Sequence, residues 1–69
     1  MEQHHASGVY AICVQPGNQV ETTIGWRTVK AVRHEHFATG GLAVIISFTT
    51  GLAALRVHAA HLLSVKRRA

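Results

Sequence analysis

The sequence predicts an all-β domain, a small barrel of five short strands with a single 3₁₀ turn before the last. Three observations carry this. Runs rich in β-branched and aromatic residues recur, as in 9–14 (VYAICV), 20–24 (VETTI) and 42–48 (LAVIISF). Breaks containing Pro, Gly and Asn separate them, which is turn chemistry and not helix interior. The link 49–51 (TTG) is so short that it joins strand to strand naturally.

Taken in order, residues 1–8 (MEQHHASG) are small or polar and read as a flexible N-terminal tail. Residues 9–14 form the first strand, and Pro16-Gly17-Asn18 turns the chain: Pro presets one φ while Gly and Asn accept positive values. Extended character resumes at Val20, with Gly25 marking a bend or bulge before Trp26. In 26–37 (WRTVKAVRHEHF) the apolar residues Trp26, Val29 and Val32 fall three apart, a spacing that also suits a helix. Thr28, Val29 and Val32 are β-branched and stiff at χ1, and no N-cap precedes them, so a long bulged strand with those three apolar residues inward is expected.

Residues 38–41 (ATGG) are a loop. The apolar run 42–48 is a central strand that sends Leu42, Val44, Ile46 and Phe48 to the core and Ala43, Ile45 and Ser47 outward. The stretch 52–66 divides two ways. As one helix rich in Ala and Leu it would make the fold α+β with a C-terminal helix. As strand–turn–strand, 54–57 pairs back on 42–48, 58–61 makes the 3₁₀ turn and 62–66 is the last strand. The second is followed because 42–48 needs a hairpin partner for its backbone groups. The domain is then 9–66, with 67–69 a frayed basic tail.

Trp26, Val29 and Val32, then 42–48, Thr50-Gly51 and 57–65 together resemble an SH3-like small β-barrel. The likeness spans most of the chain as a pattern, although Thr50 stands where an acidic residue often precedes the hairpin glycine. It implies a shape whose members bind DNA, RNA, peptides or other subunits, and so leaves function to the surface residues.

That surface is basic. Seven Lys and Arg stand against three carboxylates, for a formal charge of +4 over 69 residues. Arg27, Lys30, Arg33, Arg56, Lys66, Arg67 and Arg68 are the candidate phosphate contacts of a nucleic-acid-binding module, gripping backbone more than bases. Arg27 and Arg33 share strand parity, and a bulge near Val29 is expected to draw Lys30 toward them. Trp26, the only tryptophan, reads as core rather than as a stacking platform. Alternatively, an apolar surplus assembled from Ala43, Ile45 and Ser47 with Leu52, Leu55 or Leu62 makes the domain a protein-interaction module that dimerises about a twofold axis.

A third reading rests on the histidines. His34 and His36 share one strand face, and His58 and His61 one helical turn, so the four are the candidates for a tetrahedral metal site or a pH-responsive cluster. Enzymatic chemistry finds no footing: there is no Asp, Glu21 and Glu35 lie far apart, and no phosphate-binding glycine motif occurs. Cys13 rules out an internal disulfide and reads as a buried apolar residue. No cofactor or small-molecule substrate is indicated. No stretch reads as a signal peptide or a membrane span, which leads to the expectation of a soluble, cytoplasmic homo-oligomer.

Overall fold

The computed structural model describes residues 7–51 and 53–67. It is an antiparallel sheet of six strands: β1 (Ser7–Tyr10), β2 (Gln19–Thr22), β3 (Gly25–His36), β4 (Leu42–Phe48), β5 (Leu55–His58) and β6 (Leu62–Lys66), with one 3₁₀ turn at Ala11–Cys13. The spatial order is β1-β6-β2-β3-β4-β5, and the two edge strands do not pair with each other, so the sheet curls without closing into a barrel.

The curl follows from where the apolar side chains point. Cross-strand partners share a face, and the registers Val9↔Leu63, Val20↔Val65, Val29↔Phe48, Val32↔Ile46 and Val44↔Val57 put at least one apolar residue from each strand on the same side. Ala11, Val14, Val20, Val29, Val44, Ile46, Phe48 and Val65 form the buried cluster, with Val9, Val32, Leu55, Val57, Ala59 and Leu63 packed around it. Each Val, Ile or Phe side chain of the cluster fully removed from water contributes roughly 1.5–3 kcal/mol. A single flat sheet has only one layer to cover that face, so it wraps around its own core.

Strands β4 and β6 carry the predicted bounds, and 52–66 holds no helix among the described residues. The sheet has six strands where a five-stranded barrel is expected, because the first run and the 19–22 segment pair with β6 as separate strands. Three further expectations need correction. The first run is not one strand over 9–14. β1 starts at Ser7, inside the stretch assigned to the tail, and the chain then leaves the sheet at Ala11. Ala11 N–H donates to the carbonyl of His61 at 2.8 Å and Ile12 N–H to that of Ala59 at 3.1 Å, which bends the chain inward so that Ala11 and Val14 plug the open side. The 3₁₀ turn therefore sits after the first strand and not before the last. Residues 58–61 make a simple reversal in which His61 N–H reaches the His58 carbonyl at 2.9 Å. It cannot lengthen, because Leu62 is already paired with Tyr10.

The 49–51 link is not a tight hairpin either. Thr49 N–H donates to the Thr28 carbonyl at 3.0 Å, so the chain keeps following β3 past the point where it was expected to reverse. Pairing with β5 begins only at Ile46↔Leu55. The tail residues 1–6 and 68–69, Arg68 included, lie outside the described residues. Among those described, no helix is long and apolar enough to cross a membrane.

Candidate nucleic-acid interface

The outer, convex face of the sheet is organised by one extra residue. Between Val29↔Phe48 and Ala31↔Ser47 the register slips, leaving Lys30 as the bulged residue. Side chains alternate along a strand, so an odd spacing places two residues on opposite faces unless a bulge absorbs one step. The steps from Trp26 to Val29 and from Val29 to Val32 are both odd, and β3 has a single bulge. It reconciles Val29 with Val32 and leaves Trp26 on the other side.

Trp26 is therefore not core. It is half-buried on the outer face, pairs with Glu21, and carries the Lys66 ammonium 4.2 Å from its ring centroid. A cation over an indole face is attracted by the ring quadrupole. Thr28 follows on the same face beside Gln19, which also pairs with Lys66. Gln19, Thr28, Gly17 and Arg67 line a shallow polar depression of about 330 Å³. Hydroxyl, amide and guanidinium groups are all suitable donors to an anionic oxygen.

Past the bulge the outer face continues through Ala31, Arg33 and Glu35. Ile45 on β4 pairs with Arg33 on one side and Arg56 on the other, and is half-buried between these two neighbours. Glu35 Oε2 accepts from Arg33 Nη2 at 3.2 Å, and its Oε1 lies 3.6 Å from Arg56 Nη2. Arg56 in turn holds its guanidinium carbon 5.1 Å from the Phe37 ring centroid, and Phe37 stacks on His58 at 5.9 Å with 17° between planes. The β3–β4 loop fixes that ring: Phe37 N–H donates to Gly41 O at 3.0 Å, and Gly40 N–H returns to Phe37 O at 3.0 Å. Ala60 N–H, at 3.1 Å from Nδ1, holds the His58 imidazole.

Of the seven basic candidates, Lys30, Arg33, Arg56, Lys66 and Arg67 are set along or beside this outer face. Arg27 is not among them. It pairs with the fully buried Val20 on the inward side, is half-buried, and folds back so that Nη1 donates to the Trp26 carbonyl at 2.8 Å. The bulge was expected to gather the charges of β3, and it instead places Arg27 and Arg33 on opposite faces. Among the described residues, the ion pairs are those of Arg33 and Arg56 with Glu35, so Lys30, Lys66 and Arg67 have no carboxylate within ion-pair distance there.

The four histidines do not converge. His34 and His36 pair with Val44 and Leu42 and share the inward parity, whereas His58 pairs with Ala43 and takes the outward one. Among the described residues no group of three or more metal-ligating side chains comes together. The expected apolar patch is also dispersed: Ala43 is buried, Ile45 is half-covered, and Leu55 packs on the core. Leu62 alone of that set is exposed, and Leu52 lies outside the described residues. Cys13 is exposed, because the 3₁₀ turn sends Ala11 and Val14 inward in its place.

Phe37, Thr28 and Gln19 lie outside the expected site residues, His58 is expected only as a metal or pH-responsive candidate, and Trp26 stands on the opposite side from the one expected. The two odd spacings around Val29 were the available signal for Trp26, since one bulge can repair only one of them. A separate groove of about 460 Å³ opens on the inner side, lined by Thr22, Phe48, Leu55, Val57, His61 and Leu63 among others. No family model matches the chain, and comparison with curated proteins and with solved structures finds no match.

Proposed function

We propose that this chain is a non-enzymatic, SH3-like binding module that grips nucleic-acid backbone on the outer face of β3. The observation that carries the reading is the alignment, on one convex face, of Trp26 under Lys66, the Thr28–Arg67 depression and Arg33 with Arg56, with the exposed Lys30 at the bulge between them. Three of these five cations have no carboxylate partner among the described residues. Each phosphate neutralised by such a cation releases counterions, which is the main driving force for sequence-independent binding. Arg33 and Arg56 are already shared with Glu35 and contribute less, since an incoming phosphate must compete with that carboxylate.

The test is a titration of the intact chain against a fluorescent single strand and a duplex at low and moderate salt. Binding should fall linearly in log–log form as salt rises. A Lys66→Ala/Arg67→Ala double variant should reduce the slope by about 1 for each phosphate no longer neutralised, while Arg27→Ala, which removes an inward side chain, should leave it unchanged. Absence of binding at low salt removes this reading.

One observation favours a second reading, self-association. Tyr10 and Leu62 are direct cross-strand partners on the β1 edge and are 53% and 57% exposed, with Ile12 also exposed nearby in sequence. Two copies meeting across this edge would cover the patch. Sedimentation of the wild type against Leu62→Lys decides it: a concentration-dependent dimer abolished by the lysine supports it, and a wild-type monomer at all concentrations ends it.

A further inference from the structure

We infer that the ligand is a single strand, laid along β3 with a planar stacking station at each end. This rests on the nucleic-acid reading above and adds the form of the ligand. Three observations lead to it. The sheet wraps its core, so the face carrying the cations is convex. A duplex is itself a stiff convex cylinder, with a persistence length of about 150 base pairs. Two convex bodies touch over a short line, whereas a flexible strand can follow the curve.

Among the described residues, no element is free to read a duplex groove. The major groove, about 12 Å wide, admits a helix or a two-stranded ribbon. Here the β3–β4 arm is widened by β5, which pairs with β4 over Ala43–Ile46. Three strands at about 4.8 Å spacing fill roughly 10 Å before any side chain is added.

The third observation is the chemistry at the ends of the strip. Trp26 with Lys66 lies at one end, and Arg56, Phe37 and His58 at the other. Bases stack on aromatic rings and on guanidinium planes, but only where their faces are not already stacked within a duplex. Glu35 holds Arg56 beside Phe37 and so presents a guanidinium plane in advance of the ligand. Lys66 Nζ lies over one face of the Trp26 ring, so a base stacking there displaces the ammonium, which is then free to meet the flanking phosphate. Eleven residues separate the stations, roughly 30–36 Å at about 3.3 Å per residue, with Lys30 and Arg33 between them. Small single-strand-binding domains cover about 4–16 nucleotides, and a strip of this length belongs in the lower half of that range.

Trp26 is the only tryptophan and lies in the proposed site, so its emission reports binding directly. The experiment follows it on the intact chain with oligothymidylates and oligouridylates from about 3 to 15 nucleotides, and with a duplex at equal phosphate. The expected result is quenching, with affinity rising up to about six to eight nucleotides and then levelling, and with the duplex at least about tenfold weaker. Phe37→Leu keeps bulk but removes the ring, and His58→Asn keeps an acceptor for Ala60. Each should weaken the longer oligomers by about 5- to 150-fold, the range for losing one stacked base, and leave trimer binding unchanged. Melting curves of both variants verify that they fold.

Equal or tighter binding of the duplex overturns the inference. So does affinity that grows with length without a plateau, or indifference to both variants when both are folded. In those cases salt-dependent binding still stands and the nucleic-acid reading survives without this form of ligand. No binding to any polyanion at low salt overturns both. A difference between the thymidylate and uridylate series tells DNA from RNA.

Discussion

The two halves of β3 make opposite use of the same kind of residues. Before Lys30, the arginine points inward: Arg27 shares the face of Val20 and Val29 and folds back onto the Trp26 carbonyl. After Lys30, Arg33 points outward and joins Arg56 around Glu35. In the first half the large aromatic is on the solvent side, and in the second Val32 lies inward opposite Ile46. Identity does not separate Arg27 from Arg33. Register does, and one unpaired residue sets it. A bulge costs a ladder position, and here it lets Val29 and Val32 both reach the core from an odd spacing.

Deleting Lys30 would break this comparison most severely. Without the bulge, either Val32 or Val29 must turn to solvent, and every side chain on one half of β3 changes face. Loss of the cooperative unfolding transition is expected, read by circular dichroism during denaturation. Next in size is Ile46→Ala, which opens a cavity beside both Val32 and Leu55 at a fully buried position. It should cost about 2–5 kcal/mol, and a chemical denaturation midpoint shift of that size checks it.

Gly41→Ala probes the far half alone. Gly41 has φ +92°, and an added Cβ would lie 3.2 Å from Nε2 of His58. Strain of about 1–3 kcal/mol should appear as a lower melting temperature, with the Phe37–His58 stack disturbed and Trp26 emission unchanged. The smallest effect is that of Glu35→Gln. Both of its ion pairs are solvent-exposed, with side chains 43–70% accessible, so salt screens them. Stability should change by less than about 1 kcal/mol, while single-strand affinity rises because Arg33 and Arg56 are released to phosphate. Falling affinity in a folded Glu35→Gln would show instead that the carboxylate's hold on Arg56 matters more than its competition.

Strand content was legible because it depends on local chemistry. The β-branched runs and the Gly and Pro breaks act on neighbouring residues, and β4 and β6 emerge at the bounds they imply. The bounds that failed did so for a common reason. At Ala11, at Thr49 and at 58–61, the chain's path is decided by backbone hydrogen bonds to partners distant in sequence: His61 and Ala59, Thr28, and the Tyr10–Leu62 pairing. No local propensity records those.

The candidate site divides in the same way. The basic residues were visible as a set, because charge is a property of each residue alone. Which of them share a surface was not, since one bulge reverses parity and sends Arg27 inward. Phe37 and His58 lie 21 positions apart and meet only because the β3–β4 loop and the end of β5 arrive side by side. By itself, then, the sequence determined that this chain is a small basic β domain with a mainly aliphatic core. The tertiary structure alone decided which face carries the charge and where the rings stand, because a side chain's direction along a strand is counted from pairings that close across the whole fold.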